Sequence, residues 1–337
     1  MALLLFTAIM TTSEEAELCF PQLNSSCRKI MRPHSVSMLI YITLSSISVL
    51  TVVLNLLVII SISHFKKLHT PTNVLLLSLA VSDFCVGFLM IFQIILIDGC
   101  WFLGDLMCAV HFVLDYIITS ASIGTMVLIS IDRYVAIYYP LLYPTKVTQN
   151  RVRICVSVCW VACVLCHCLI LKDNVEQPGR YNTCLGECVV VIEYYAGIVD
   201  VFISFIGPVT VIVILYVRIF VVAVSQARAL RSHIRDVTLQ GSVRITVKKS
   251  ELKAARTLGV VVVVFLICVC PFFCVTLSGG DSVVSVSSAA FVMCLFFLNS
   301  FLNPLIYAFF YPWFIKCIKV ILTLQILKPG SCDANIL

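Results

Sequence analysis

Residues 104–138 read GDLMCAVHFVLDYIITSASIGTMVLISIDRYVAIY. The stretch is apolar for most of its length, yet it carries Asp115 in its interior and Asp132-Arg133-Tyr134 near its far end. At about 3.6 residues per turn, the 18 positions from Asp115 to Arg133 make about five turns. The two side chains therefore share one face of a helix, about 27 Å apart. The hydrocarbon core of a bilayer is about 30 Å thick. A carboxylate near one membrane face and a guanidinium near the other suit an element that carries a signal across.

Composition agrees with a membrane setting. Of 337 residues, 61% are hydrophobic and 12% charged, with a mean hydropathy of +1.08. Soluble domains are about half apolar and about a quarter charged, so a polytopic membrane protein is the reading. Seven runs are long enough to span, at 36–63, 72–97, 107–138, 152–171, 192–222, 252–278 and 285–310. The expected fold is all-α, a seven-transmembrane helix bundle with a short amphipathic helix after the seventh span. The expected divisions are an outer tail (1–35), the seven-span domain (36–310), and a cytoplasmic amphipathic helix with its tail (311–337). The opening MALLLFTAIM is too short to span and lacks a basic start; it reads as a weak signal peptide or as part of the tail.

Lysine and arginine fix the expected orientation. Lys66, Lys67, Arg133, Lys146, Arg151, Arg153, the cluster from Arg218 to Arg256, Lys316, Lys319 and Lys328 fall on one side. Arg28, Lys29, Arg32, Lys172 and Arg180 fall on the other, among ten acids that include Glu17, Asp98, Glu187 and Asp281. The basic side is expected in the cytoplasm and the amino terminus outside, behind a negative mouth that concentrates cations. A plasma-membrane, multi-pass protein follows, with membrane lipid as a partner and no nucleic acid.

Six of the 18 cysteines (Cys19, Cys27, Cys100, Cys108, Cys184 and Cys188) fall outside, where an even set implies disulfides. Counting alone leaves all their pairings open. Asn24-Ser25-Ser26 is a glycosylation sequon on the tail. Cys317 and Cys332 are candidates for palmitoylation.

Hydrocarbon penalises polar groups, so those inside the spans should face the bundle interior. They are Asn55, Asp83, Asp115, Ser122, Trp160, Asp200, Asn299, Ser300, Asn303 and Tyr307, with kinking Pro208, Pro271 and Pro304. Taken in order, Asn55 in LNLLV, LSLAVSD ending at Asp83, Trp101 with Cys108, and Asp132-Arg133-Tyr134 resemble the class A, rhodopsin-like G-protein-coupled receptors. Trp160, Pro208 with Tyr216, Phe265 with Pro271, and NPLIY at 303–307 complete the resemblance, which covers 36–325. NSFLNPLIYAFFYPWF (299–314), LHTPTNVLLLSLA (68–80), CWFLGD (100–105), RIFVVA (218–223) and KAARTLG (253–259) narrow it to the trace amine-associated receptors. That resemblance implies an olfactory receptor for a small cationic amine, coupled to a stimulatory heterotrimeric G protein. It also implies a Cys108–Cys188 bond and two bonds from the tail, with Cys19–Cys184 and Cys27–Cys100 as the expected pairing.

Asp115 lies seven residues inward of Cys108, and no lysine or arginine is available in the outer half of the bundle. A cation supplied by the ligand would balance it, as the resemblance implies. Asp200, eight positions before Pro208, places a second acid where many catecholamine receptors carry serines. Two carboxylates on facing helices, with axes about 8–10 Å apart, suit a diamine with a spacer of about 6–7 Å. The alternatives are a monoamine receptor that uses one aspartate and, more remotely, an amine transporter. The resemblance adds Phe272, Phe273 and Phe297 as aromatic lining suited to cation–π contact, with Tyr116, Thr119 and Ser204 as further lining candidates. His111, one turn from Asp115, is a candidate partner for it or a packing residue.

For transmission, Asp83, Ser122, Asn299, Ser300 and Asn303 form an oxygen-rich set at middle depth. The resemblance makes this a candidate allosteric sodium site centred on Asp83; no other cofactor is expected. The implied switch pairs Arg133 with Glu251 in the resting state and passes the freed arginine to Tyr216 and Tyr307. Ile123, Pro208 and Phe265 resemble the packing relay of such receptors. Two positions depart from the family: Val269 replaces a tryptophan, and Phe297 replaces a tyrosine that bonds the binding aspartate. No nucleophile–base pair or metal-ligand cluster supports an enzyme, and the seventh span has no lysine for retinal.

Overall fold

The computed structural model describes residues 17–30, 33–234, 259–275, 286–334 and 336. Glu251, Asp281, the opening MALLLFTAIM and the third-loop residues from 235 onward lie outside the described residues. Helices dominate: α1 (His34–His64), α2 (Pro71–Leu96), α3 (Asp105–Tyr138) and α4 (Gln149–Ile170) begin and end within three residues of the expected spans. Helix α5 runs as Tyr194–Val201, one π-helical turn at Phe202–Ile206, and Gly207–Ile234. Helices α6 (Gly259–Val275), α7 (Val286–Phe310) and the expected closing helix α8 (Pro312–Leu322) follow. Six of the described helices are long and apolar enough to cross a membrane, and α6 is apolar over a shorter described length.

The start signals are local. Thr70 accepts a hydrogen bond from the Asn73 amide ahead of Pro71, and Thr148 caps α4 by accepting from the Arg151 amide. The apolar surface faces outward. On α4, Ile154, Val158, Val161, Leu165 and Leu169 recur at helical spacing and are all exposed. No soluble protein leaves such a stripe to water; in lipid it is the low-energy face.

Polar groups point inward and stitch the bundle. Asn55 Nδ2 on α1 donates to the Ser300 carbonyl on α7 (3.0 Å), and Ser48 Oγ donates to the Gly87 carbonyl on α2 (2.7 Å). Trp160 Nε1 on α4 donates to Ser78 Oγ (3.0 Å), itself 3.1 Å from Thr125 Oγ1 on α3. A Cβ on Gly87 would stand 2.9 Å from Val52 Cγ2, so only glycine lets α1 and α2 approach this closely. The central apolar cluster joins Ile123, Ile212, Phe265, Val269 and Tyr307.

Helix α8 buries Trp313, Phe314 and Cys317 and exposes Ile315, Lys316 and Lys319. Complete burial puts the Cys317 thiol out of reach of an acyl donor, whereas Cys332 is half-buried. The chain then turns back beneath α1. His64 Nε2 lies 2.9 Å from Ser331 Oγ, Lys66 Nζ lies 3.1 Å from Asp333 Oδ1, and Ile336 is buried. The bond to Lys66 holds the Asp333 carboxyl below the usual carboxylate range.

Candidate functional site

Asp115 and Asp200 both fall in the half of the bundle that carries the disulfides, but their surroundings differ. Asp115, half-buried on α3, receives no hydrogen bond or ion pair from any described residue. Asp200 is buried and fully engaged through one oxygen. Its Oδ1 accepts from Ser204 Oγ (3.0 Å) and lies 3.2 Å from His167 Nε2 on α4. Ser120 Oγ on α3 closes the cluster, 3.1 Å from His167 Nε2 and 3.2 Å from Ser204 Oγ. The π-turn brings Ser204 into this position. Pro208 has no N–H to give, and the Gly207 amide bonds the Phe202 carbonyl five residues back, so the helix is locally underwound and takes in one extra residue.

His167 is the group that the sequence reading missed. A count of lysine and arginine passes over imidazole, and the signal was a histidine seven residues beyond Trp160 in an apolar span. Tyr116 packs beside this cluster, its ring centroid 6.0 Å from that of His167. His111 turns away from Asp115; it lies 3.1 Å from Gln93 Nε2 and packs among Phe92, Trp101 and Phe112. Thr119 is half-buried and stands outside the hydrogen-bonded cluster.

The aromatic candidates form part of a longer run. Phe205 on α5 stacks on Phe273 at 4.2 Å, Phe273 meets Phe272 at 5.4 Å, Phe272 meets Phe296 at 4.8 Å, and Phe296 meets Phe297 at 5.8 Å. Phe205 and Phe296 were not among the expected residues. Phe297 is buried in a cluster with Met90 and Ile118.

The disulfides correct one expectation. Cys108–Cys188 is present, but the tail bonds are Cys19–Cys100 and Cys27–Cys184, not Cys19–Cys184 and Cys27–Cys100. Backbone pairing is the reason. The tail doubles back so that the Cys19 amide donates to the Cys27 carbonyl (2.8 Å). Cys27 and Ser25 then pair with Leu185 in the α4–α5 loop (2.9 and 2.8 Å). Cys27 is thereby carried to Cys184, while the Ile30 amide on Asp98 holds the tail beside Cys100. Asn24 stands exposed on the turn. A cavity of about 390 Å³ opens beneath the tail beside Glu17, Lys29, Tyr41 and Asp98; neither Asp115 nor Asp200 lines it.

At middle depth, Asn303 Nδ2 donates to Asp83 Oδ2 (2.8 Å). Asp83 Oδ1, Asn299 Oδ1, Asn303 Oδ1 and Asn55 Oδ1 are buried without a partner among the described residues. Ser122 and Ser300 are buried as well. Several orphaned oxygens around a carboxylate make a donor set that fits a small hard cation.

At the opposite end Arg133 is held by its neighbours. Its Nε and Nη2 donate to Asp132 Oδ2 (3.0 and 2.5 Å), and Nη2 also donates to Thr72 Oγ1 on α2. Thr72 Oγ1 donates to the same carboxylate oxygen, and Tyr143 OH donates to Asp132 Oδ1 (2.8 Å). Burial, reinforced by the Asp132 charge, pushes the Tyr143 hydroxyl up to about 12, so it stays a donor. Tyr134 faces away and packs on Tyr138 (4.6 Å). Tyr216 and Tyr307 hydroxyls are buried and unpartnered among the described residues. Thr72 and Tyr143 hold the Asp132–Arg133 pair, and the sequence did not reveal either contact.

The pattern of the 7 transmembrane receptor (rhodopsin family) matches residues 54–307. Trace amine-associated receptor 13c of Danio rerio is 37% identical over 339 residues, covering 96% of this chain and 97% of its own length. Trace amine-associated receptors 8a of Rattus norvegicus and 6 of Homo sapiens are each 38% identical, over 95% of this chain and 96% and 95% of their own lengths. The chain belongs to the trace amine-associated receptor family. As a trace amine-associated receptor it is a multi-pass plasma-membrane protein that works with a heterotrimeric G protein, and it is not an enzyme. The transporter reading is set aside by the same match.

Proposed function

We propose that this receptor senses diamines, with one ammonium on Asp115 and the second on Asp200. The observation that supports this most directly is the state of Asp115: a carboxylate inside an apolar bundle, with no partner among the described residues. Desolvating a charge without compensation is costly, so a cationic ligand is its natural complement. A second carboxylate, with Oδ2 unbonded by described residues, favours a ligand with a second cationic end. The aromatic run from Phe205 to Phe297 adds faces that attract ammonium groups.

The tail with its disulfides and Asn24 lies outside the cell, and the Arg133 end meets a stimulatory G protein. Expression in olfactory neurons accords with the family. Asp83, Ser122, Asn299, Ser300 and Asn303 would hold a sodium ion, which would supply positive charge at the polar centre. Replacing sodium chloride by potassium chloride should then raise agonist affinity in the wild type and leave the Asp83→Asn receptor unchanged. Radioligand binding checks this.

The decisive experiment measures cyclic-AMP responses to alkyl diamines of graded length and to the matching monoamines. Removing either charge, by Asp115→Asn or Asp200→Asn, should cost the best diamine about 2–5 kcal/mol, a potency loss of about 30-fold or more. The second reading, a monoamine receptor, draws support from the engagement of Asp200 with His167. It requires equal potency of diamine and monoamine, and little effect of Asp200→Asn.

A further inference from the structure

The protons at the second carboxylate can be counted from geometry. His167 Nδ1 lies 2.8 Å from the Cys163 carbonyl, which can only accept, so Nδ1 carries a hydrogen. His167 Nε2 lies 3.2 Å from Asp200 Oδ1. Two bare acceptors would repel at that distance, so a hydrogen bond here takes one further proton between them, with Ser120 Oγ, 3.1 Å from Nε2, as a second neighbour of that nitrogen. Whether it rests on nitrogen or on oxygen, the pair is net neutral. His167 thus gives Asp200 a partner within the receptor itself, in the position that a second ligand ammonium would claim. The groups that meet this imidazole are Asp200 from α5, Tyr116 and Ser120 from α3, and the Cys163 carbonyl of α4 itself, while Ser204 joins Asp200 to Ser120 and Asp115 is the other acid on α3.

We propose that His167 is a specificity-determining residue that competes with the distal end of the ligand for Asp200. This rests on the diamine reading. When a second ammonium donates to Asp200, the shared proton leaves for bulk water, and His167 stays neutral with its Nδ1–H on Cys163. Charge balances throughout: a dication enters, one proton leaves, and the Asp115 and Asp200 carboxylates are both compensated. A monoamine leaves the His167–Asp200 pair intact and releases no proton there. The pair therefore accepts a monoamine without leaving Asp200 uncompensated, and it ranks dications by their ability to displace a proton.

The sign follows from linkage: a binding step that releases one proton strengthens as pH rises, by up to about tenfold per pH unit. Alkyl ammoniums lose their protons only near about pH 10.4, so both ends of the probe stay charged between pH 6 and 8. The test uses the full-length receptor in lipid nanodiscs and calorimetric titration with 1,5-diaminopentane and pentylamine at pH 6, 7 and 8. The affinity ratio of the two probes removes any titration at Asp115, which both engage. In the wild type this ratio should climb with pH, with about one proton released per diamine as read in buffers of different ionisation heat. His167→Arg fixes a permanent cation on Asp200; the ratio should fall and become independent of pH, with a thermal melting curve of the nanodisc sample reporting folding. Asp200→Asn should abolish both the diamine advantage and its pH dependence. A wild-type ratio that is flat from pH 6 to 8, or a slope that survives in Asp200→Asn, overturns the role of His167. A diamine advantage that survives in Asp200→Asn overturns the diamine reading itself. If that advantage is lost while the wild-type ratio is flat, the diamine reading stands and only His167 is dismissed.

Discussion

Single side chains at the Arg133 end act as a latch. Thr72 bonds both Asp132 and Arg133, so its loss removes two charge-assisted contacts together. A hydrogen bond to a charged group contributes about 1.5–3 kcal/mol. Thr72→Ala and Tyr143→Phe should therefore loosen the arginine and raise agonist-free cyclic-AMP production, Thr72→Ala the more strongly. Unchanged basal output in both variants would mean that the arginine is restrained elsewhere. Neither residue was legible beforehand. A threonine at the start of α2 and a tyrosine in the α3–α4 connection gain their meaning only when three separate segments converge. Asp115, by contrast, was legible because an acid in hydrocarbon needs an explanation whatever surrounds it. His167 was overlooked because an uncharged imidazole needs none, and only its distance to Asp200 shows the coupling.

Among the elements, the helices were readable from hydropathy because each span must satisfy its own backbone in lipid. The π-turn of α5 was not. Pro208 announces a disturbance, but whether the chain kinks, frays or underwinds depends on what the neighbouring side chains can bond. Here Ser204 finds Asp200, and the extra residue is absorbed. The α1–α2 contact depends on a residue with no side chain at all. Gly87→Ala places a methyl group 2.9 Å from Val52 Cγ2 and 3.1 Å from the Val52 amide nitrogen. Overpacking of this kind costs about 1–3 kcal/mol. The variant should show a lower melting temperature in detergent and weaker cell-surface expression than the wild type, and a matching melting curve would show that α1 can move aside.

At the scale of the molecule, the two ends are built on different principles. One end is joined by side-chain contacts that can exchange; the other is joined covalently. The tail pairings follow from backbone registry with the α4–α5 loop, which cysteine counting cannot reveal. Peptide mapping under non-reducing conditions should recover Cys19 linked to Cys100 and Cys27 linked to Cys184. Removing a native disulfide from a small extracellular unit costs about 2–5 kcal/mol. Cys27→Ala with Cys184→Ala should accordingly detach the tail from the loop and lower thermal stability, while the Arg133 latch is preserved.

The three disulfides also have a topological consequence. Cys19 to Cys27, Cys100 to Cys108 and Cys184 to Cys188 are short segments of the same chain, and the bonds join them end to end. They close a covalent ring, a small cyclic peptide set into the rim of the receptor. One cleavage within such a ring opens it without freeing any fragment. Phe102 and Leu103, both exposed, offer chymotrypsin a place to cut, whereas none of the three segments contains a lysine or arginine for trypsin. A receptor nicked there would migrate as one species until a reductant parts it into two.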